Sequence, residues 1–252
     1  MALLKAISIF ADLIFTRMGR IFEKRKHKMF ARFDKMAKAF TRIGKDIAIA
    51  VKQGGPNPDN NPKLRMAIQN AKGVNMPKDR VDSAIKRASS KEEKDFQEVI
   101  YEGYAPHGVP VIVECATDNP TRTVANVRLH FSKHDGAMGN SGSVTFMFER
   151  RGVFKFEPAA LNLDELELDL IDGGAEDIHR DEEEIVIYTK FNDFGNMLKF
   201  LESKNLNAKS SSLQYIPTTT KELSEAQQDE VLKCIEALEE DDDVQNVYHN
   251  LA

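Results

Sequence analysis

The chain has 252 residues, of which 41% are hydrophobic and 30% are charged, and its formal net charge is −5. This balance is typical of a folded globular protein and excludes a disordered or collagen-like chain. The two cysteines, Cys115 and Cys234, lie far apart and form no CxxC pair. We therefore expect two buried free thiols rather than a metal site or a disulfide framework.

The net charge hides a division along the sequence. Residues 1–94 contain 22 Lys and Arg against 9 Asp and Glu, a balance of +13. Residues 95–252 contain 13 against 31, a balance of −18. A basic first part followed by an acidic remainder predicts that the first part binds a polyanion.

Residues 1–17 are predicted to be a short N-terminal extension. Asp12 interrupts their apolar sequence, which is shorter than the roughly 20 residues that a membrane helix needs. The segment also lacks the clean apolar core and small-residue cleavage site of a signal peptide. We expect neither secretion nor membrane association.

Residues 18–94 are predicted to form a basic domain of three helices. Apolar residues recur every three or four positions from Ile21 to Gln53, which indicates one long helix with an apolar face. Two shorter helices follow, beginning near Pro62 and Pro77. The polar residues 89–95 are expected to be a linker.

Lysines and arginines recur on the predicted outer faces of all three helices. Clustered cations bind phosphate backbones because condensed counterions are released, whereas the alternative is a merely solvated surface. The shared sign across three helices favours polyanion binding. The candidate nucleic-acid-binding residues are Lys24, Arg25, Lys26, His27, Lys28, Arg32, Lys35, Lys38, Arg42, Lys45, Lys63, Arg65, Lys72, Lys78, Arg80, Lys86 and Arg87.

The remainder is predicted to form two further domains, which gives an α+β fold of three domains. Residues 95–150 and 218–252 are expected to form one discontinuous α+β domain. Its predicted elements are strands 97–101 and 109–115, a helix 120–132, a strand 143–149, a helix 225–240 and a strand 244–248. Residues 151–217 are expected to form an inserted ferredoxin-like domain, since their pattern follows the order βαββαβ. Its elements are strand 153–156, helix 163–171, strands 175–179 and 184–188, helix 194–203 and strand 211–216.

The glycine-rich segment 136–142 (GAMGNSG) is a candidate functional loop. Glycines allow the backbone to approach a phosphate or a peptide closely, although a helix end followed by a turn would explain the same pattern. Arg122, on the predicted helix 120–132, is a further candidate that could contact RNA or the ribosome, and the alternative for it is a local cap or salt bridge. The candidate residues are Gly136, Met138, Gly139, Asn140, Ser141, Gly142 and Arg122.

Sequence motifs for catalysis or metal binding are not found. His130 and His134 have the i, i+4 spacing of helical zinc ligands, but no third ligand is obvious. Neither a GxSxG motif nor a P-loop occurs. We therefore expect a protein that is not an enzyme and that has no cofactor and no metal.

Several long segments resemble the YebC/PmpR family, which includes mitochondrial translational activators of a cytochrome oxidase subunit. They are residues 26–28, 54–87 and 101–128 and the GAMGNSGSV loop, and the resemblance extends from Met18 to the C terminus. It implies one helical and two α+β domains, a cytoplasmic location and a DNA-binding transcriptional regulator. Family members are also linked to ribosomes that stall on proline runs. The family's Gly-His-Ser-Lys-Trp segment is replaced here by residues 18–22, and the chain has no tryptophan.

Two functions therefore remain open at this point. The resemblance favours a DNA-binding transcriptional regulator. The alternative is a ribosome-associated translation factor that binds ribosomal RNA and relieves stalling, which is favoured by cations spread over three helices and by the lack of a clear recognition helix. Both functions make nucleic acid the partner and involve no membrane, and we expect a monomer or weak oligomer.

Overall fold

The computed structural model describes residues 35–90 and 95–252. The chain divides into two compact units, residues 1–41 and 42–252. In the first unit the described residues 35–41 are helical, and the Thr41 hydroxyl donates a hydrogen bond of 3.0 Å to the Ala37 carbonyl. Everything described below belongs to the second unit unless stated otherwise.

The second unit begins with three helices, α1 (residues 42–54), α2 (Pro62–Gly73) and α3 (Lys78–Ala88). The elements that follow, in chain order, are β1 (Gln97–Ala105), β2 (Val109–Thr117), α4 (Pro120–Lys133), β3 (Ala137–Met138), β4 (Phe148–Phe156), α5 (Leu163–Asp172), β5 (Ala175–Arg180), β6 (Ile185–Lys190), α6 (Phe194–Ser203), β7 (Ser210–Pro217), α7 (Glu225–Glu239) and β8 (Val244–His249).

The three helices share an apolar core, and a buried asparagine fixes the turn between the first two. Ile47, Leu64 and Val81 are among the buried residues of this core. The Asn61 side chain accepts a hydrogen bond from the Leu64 amide at 3.0 Å and donates to the Ala50 carbonyl at 2.7 Å. Asn61 therefore caps α2 and ties it to α1, so the predicted start of α2 is confirmed.

The eight described strands form two antiparallel sheets, with strand orders β3-β1-β2-β8 and β5-β6-β4-β7. In the first sheet, β1 and β2 pair from Gln97 opposite Thr117 to Ala105 opposite Val109. Helices α4 and α7 cover this sheet through a core that includes Phe131 and Leu238. The C-terminal α7 and β8 thus return to the sheet that β1 and β2 begin, as the sequence pattern predicts.

The second sheet has the strand order of a ferredoxin-like module. Strand β6 lies between β4 and β5, and β4 lies between β6 and β7, so each of the two βαβ units is split by a strand of the other. Helices α5 and α6 contribute Leu170 and Met197 to a core with Phe154 and Phe156. The predicted α+β class and the predicted order of elements in this module are confirmed.

One predicted strand is wrong. Residues 143–149 do not form a strand of the first sheet, because Thr145–Met147 is a 3-10 turn and β4 begins at Phe148. The amides of Val144 and Thr145 donate to the buried Glu102 carboxylate, so they are not free to pair with a neighbouring strand. The predicted strand 153–156 is the second part of β4, and the proposed domain boundary at 150/151 falls inside this strand.

Candidate nucleic-acid interface

The predicted interface lies only in part within the described residues. Lys24, Arg25, Lys26, His27, Lys28 and Arg32 lie outside the described residues. In the first unit, Lys35 and Lys38 are exposed on the helical residues 35–41. The other predicted cations belong to the second unit, where their surroundings differ sharply.

The two predicted cations of α1 contact the acidic C-terminal region. Lys45 Nζ donates to the Ala116 carbonyl at 2.8 Å, to the Asp242 carbonyl at 2.7 Å and to Asp243 Oδ1 at 3.1 Å, and its side chain is only 11% exposed. Arg42 Nη2 donates to the carbonyl of Glu239, the last residue of α7, at 3.0 Å. Both cations therefore hold α1 in place and are occupied by protein oxygens.

Asp243 is the centre of this contact. Its Oδ2 accepts hydrogen bonds from Arg122 Nη2 at 2.7 Å and from the Thr123 hydroxyl at 2.8 Å. Burial alone would raise the pKa of Asp243, but the hydrogen bonds from Arg122, Thr123 and Lys45 together lower it. Arg122 also pairs with Asp118 at 2.9 Å, so its side chain forms the kind of salt bridge that was the alternative to a nucleic-acid contact.

The first two cations of α2 are also paired. Lys63 Nζ lies 2.9 Å from Glu98 Oε1, which joins α2 to β1. Arg65 donates to Glu202 Oε1 of α6 at 2.9 Å and to the Pro58 carbonyl at 2.8 Å. Such partly exposed pairs each contribute only about 0–1 kcal/mol to stability, but a paired cation is less available to a phosphate group.

The remaining predicted cations lie on exposed surface. Helix α3 buries Val81 and Ala84 and has an outer face that carries both signs of charge. That face of α3 includes two acids, Asp79 and Asp82, and four cations, Lys78, Arg80, Lys86 and Arg87. On the preceding helix, Lys72 is exposed in the last turn of α2. Within the described residues, the side chains of Lys72, Lys78, Lys86 and Arg87 form no hydrogen bond or ion pair. We call these four residues the open cations.

The glycine-rich loop is built around Glu102 of β1, which is only 5% exposed. Its carboxylate accepts hydrogen bonds from the amides of Gly142 at 2.6 Å, Val144 at 2.7 Å and Thr145 at 2.9 Å. Burial alone would raise the pKa of Glu102, but these backbone hydrogen bonds outweigh it and lower the pKa. The loop is thus held in one conformation by a buried negative charge.

Two glycines of the loop are required by its geometry. A Cβ atom at Gly139 would lie 2.5 Å from the Ser143 hydroxyl oxygen, and Gly142 has a φ of +82°, a conformation that disfavours other residues. Asn140, Ser141 and Gly142 form an exposed tip. Gly136 and Met138 are not part of that tip: a Cβ at Gly136 would meet the Tyr104 carbonyl, and Met138 lies in β3 against the core.

Two residues of this region were not identified by the sequence analysis. Glu102 lies in a strand between buried neighbours. A carboxylate at a position expected to be apolar is the signal in the sequence that could have marked it as a buried, hydrogen-bonded residue. Phe146 follows the loop in the 3-10 turn and is 72% exposed. An exposed Phe gives no clear pattern in a sequence, because its exposure depends on the turn that replaces the expected strand.

Within the described residues, the surroundings of the histidines considered as zinc ligands and of the two cysteines favour neither metal binding nor thiol reactivity. Within residues 35–90 and 95–252, no group of three His, Cys, Asp or Glu side chains is arranged to hold a metal ion, and His130 lies 3.5 Å from Asp241. Cys115 and Cys234 are buried free thiols, as predicted. Burial, mainly, raises the pKa of Cys115 to about 12 and that of Cys234 to about 11, so neither is an activated thiolate.

No helix in the described part of the chain is both long and apolar enough to span a membrane. This finding covers every helix named above.

Two family models match most of the chain. The model described as the N-terminal domain of TACO1/YebC proteins matches residues 20–91, and the model described as their second and third domain matches residues 96–251. Among solved structures, a conserved hypothetical protein from Aquifex aeolicus has a TM-score of 0.77 and 39% identity, covering 86% of this chain and 90% of that one.

Curated relatives are similar over almost their whole length. A protein of Anaeromyxobacter dehalogenans is 57% identical, with 93% of this chain and 100% of the relative covered. Proteins of Myxococcus xanthus and Campylobacter concisus are 55% and 51% identical, again with 93% of this chain and 100% of the relative covered. All three are named as a "Probable transcriptional regulatory protein". The chain therefore belongs to the TACO1/YebC family, whose curated relatives here bear names of regulatory proteins rather than enzymes.

Proposed function

We propose that this chain is a regulator that binds nucleic acid through the open cations of α2 and α3, and that its physiological target is DNA. The proposal rests on the difference between cations that are bound by protein oxygens and cations that have no such partner. Lys45 and Lys63 are held by protein carboxylates and carbonyls, whereas Lys78 and Lys86 extend into solvent without such partners. Cations of the second kind can exchange their counterions for phosphates.

The local architecture supports DNA as the target. Helices α2 and α3 are joined by four residues, 74–77, a connection length that helix-turn-helix units share with other helical hairpins, although the sequence pattern shows no clear recognition helix. In such units the second helix faces the DNA groove. The outer face of α3 also carries Asp79 and Asp82, so its excess of positive charge is modest. We propose that Lys35, Lys38 and the N-terminal cations predicted from the sequence also bind nucleic acid.

The glycine-rich loop supports the alternative function, a ribosome-associated translation factor. Glu102 binds the amides of Gly142 and Thr145, which lie on either side of the loop's end, and the exposed Phe146 directly follows Thr145. Unpaired bases stack on exposed aromatic rings, and RNA loops offer such bases where duplex DNA does not. We propose this loop as the second contact site for the RNA target of this alternative.

The two targets are separated by comparing duplex DNA with ribosomes. Binding of the full chain to labelled DNA duplexes of differing sequence is measured by fluorescence anisotropy at rising salt, in parallel with co-sedimentation with purified ribosomes. A sequence preference that survives at high salt, without ribosome association, is expected for the DNA regulator. Association with ribosomes and equal, salt-sensitive binding to all duplexes would transfer the proposal to the translation factor. Binding to neither would refute both.

A further inference from the structure

A cavity of about 360 Å³ lies where the helices meet both sheets. Its walls come from α1, α2, β1, β2, β4, β7 and β8. Apolar side chains form much of the surface, including those of Ile49, Met66, Val99 and Leu213. A cavity of this size with apolar walls and a few polar groups has the character of a small-molecule site.

The charged groups of the cavity leave one carboxylate uncompensated. Lys63 is already bound by Glu98 at 2.9 Å, and the Glu114 carboxylate accepts hydrogen bonds from Asn246 at 3.1 Å and Tyr248 at 2.9 Å. Asp46 of α1 also lines the cavity, and among the residues that the structure describes its carboxylate has no hydrogen-bond or ion-pair partner. The cavity therefore offers an unmatched acceptor of positive charge.

The second cation of the cavity is not positioned as a partner for Asp46. The Arg150 guanidinium lies over the Phe191 ring, 5.0 Å from its centroid, and 5.7 Å from the centroid of Tyr215. Burial raises the pKa of Asp46 to about 7, with a further contribution from the negative charge of Glu98. Lys63 and Arg42 oppose this shift, and Glu114 adds to it. Asp46 therefore acquires its full charge only in neutral to alkaline solution.

Two buried polar side chains in the same cavity also lack partners. Ser211 and Gln245 are 0% and 8% exposed, and both line the cavity. Neither the Ser211 hydroxyl oxygen nor Gln245 Nε2 has a hydrogen-bond partner. A buried donor without an acceptor costs about 1–3 kcal/mol, so the wall of the cavity contains polar groups that the fold leaves unsatisfied.

We infer that this cavity binds a small organic amine whose ammonium group pairs with Asp46 and whose apolar body lies against Ile49 and Leu213. An organic cation is favoured over a metal ion because, in the described residues, no three carboxylate, His or Cys side chains converge on one point. The ligand site is separate from the open cations, so it adds a small-molecule input to the proposed nucleic-acid regulator.

The test uses two probes that differ in charge. Aminopentanol carries an ammonium group and a hydroxyl, and pentanediol replaces the ammonium by a second hydroxyl. Each is titrated into the full-length protein at pH 8, and binding is followed through the methyl NMR signals of Ile49, Val99 and Leu213. We expect saturable shifts with aminopentanol, and binding of pentanediol that is weaker by about tenfold or more.

Asp46→Asn provides the second arm, because it removes the charge while preserving the shape of the side chain. It is expected to weaken aminopentanol binding about tenfold or more and to leave pentanediol unaffected. Asp82→Asn, on the exposed face of α3, is the matched control and should change neither. No saturable shift in the unmodified protein, equal affinity for the two probes, or unchanged aminopentanol binding in the Asp46 variant would each overturn the inference.

Discussion

Replacing Glu102 by Gln should loosen the glycine-rich loop. The Glu102 carboxylate accepts three backbone hydrogen bonds of 2.6, 2.7 and 2.9 Å. A glutamine retains one acceptor oxygen, but its NH2 group would face a backbone amide, so at least one hydrogen bond becomes a donor–donor contact. Hydrogen bonds to charged groups contribute about 1.5–3 kcal/mol each, and an unsatisfied buried group costs a similar amount. We therefore expect a loss of about 2–4 kcal/mol in the free energy of unfolding.

Urea denaturation followed by circular dichroism measures the overall loss, and amide hydrogen exchange localises it. Exchange should accelerate at Gly142, Val144 and Thr145. Glu149→Gln is the matched control, because Glu149 is exposed and, among the described residues, its carboxylate accepts only from the side chain of Arg151. That variant should change stability by about 0.5 kcal/mol or less. Unchanged protection of the three loop amides in the Glu102 variant would refute the assigned role of Glu102.

The pH dependence provides an independent check of the same prediction. The pKa of Glu102 is lowered in the folded protein, so the folded state binds a proton less readily than the unfolded state. The resulting stability is present above the unfolded pKa of about 4.3 and is lost as the pH falls through the folded value. The stability difference between the unmodified protein and the Gln variant should therefore shrink below about pH 4.

Three further predictions concern buried groups elsewhere in the fold. Asp243→Asn should lower the free energy of unfolding, measured by urea denaturation, by about 2–4 kcal/mol, because Asp243 is a buried partner of two cations. Asp242→Asn is the control and should leave the free energy of unfolding nearly unchanged. Equal effects of the two substitutions would contradict this prediction. The raised pKa of Asp46 means that the unmodified protein loses stability as the pH rises towards about 7. Asp46→Asn removes this loss, so the variant should be stabilised relative to the unmodified protein more at pH 8 than at pH 5. A stability difference between the two proteins that does not change with pH would contradict this prediction. Cys115 and Cys234 should resist a thiol reagent at pH 8 until the protein is denatured; rapid labelling of the native protein would contradict their raised pKa values.

Local signals in the sequence predicted most of the fold. The helix 194–203 was predicted with its observed bounds, because apolar periodicity and flanking polar residues mark both of its ends. The return of α7 and β8 to the first sheet followed from the incomplete ββαβ pattern before the inserted module. These features depend on short-range patterning, which a sequence displays directly.

Features that depend on distant partners were harder to predict. The segment after the glycine-rich loop has the composition of a strand. Its amides instead donate hydrogen bonds to the carboxylate of Glu102, some 40 residues earlier in the chain. Similarly, Lys45 and Lys78 contribute equally to a charge count, yet the Lys45 ammonium group is hydrogen-bonded to Asp243, 198 residues away. Charge patterning located the basic region but could not separate structural cations from open ones.

The central claim is that the open cations of α2 and α3 bind nucleic acid. Its most direct test compares two triple charge reversals of equal net charge. One changes Lys72, Lys78 and Lys86 to Glu. The other changes Lys133, Lys199 and Lys233 to Glu, three lysines that are also exposed but lie on α4, α6 and α7.

The measurement is the affinity of each variant for a DNA duplex and for a ribosomal RNA fragment as a function of salt concentration. The first variant should bind about tenfold or more weakly, and its salt dependence should fall by roughly one unit of slope for each phosphate group that the protein no longer neutralises. The second should retain nearly the slope of the unmodified protein. Equal weakening in both variants, or an unchanged slope in the first with the fold intact, would contradict the assignment of the binding surface.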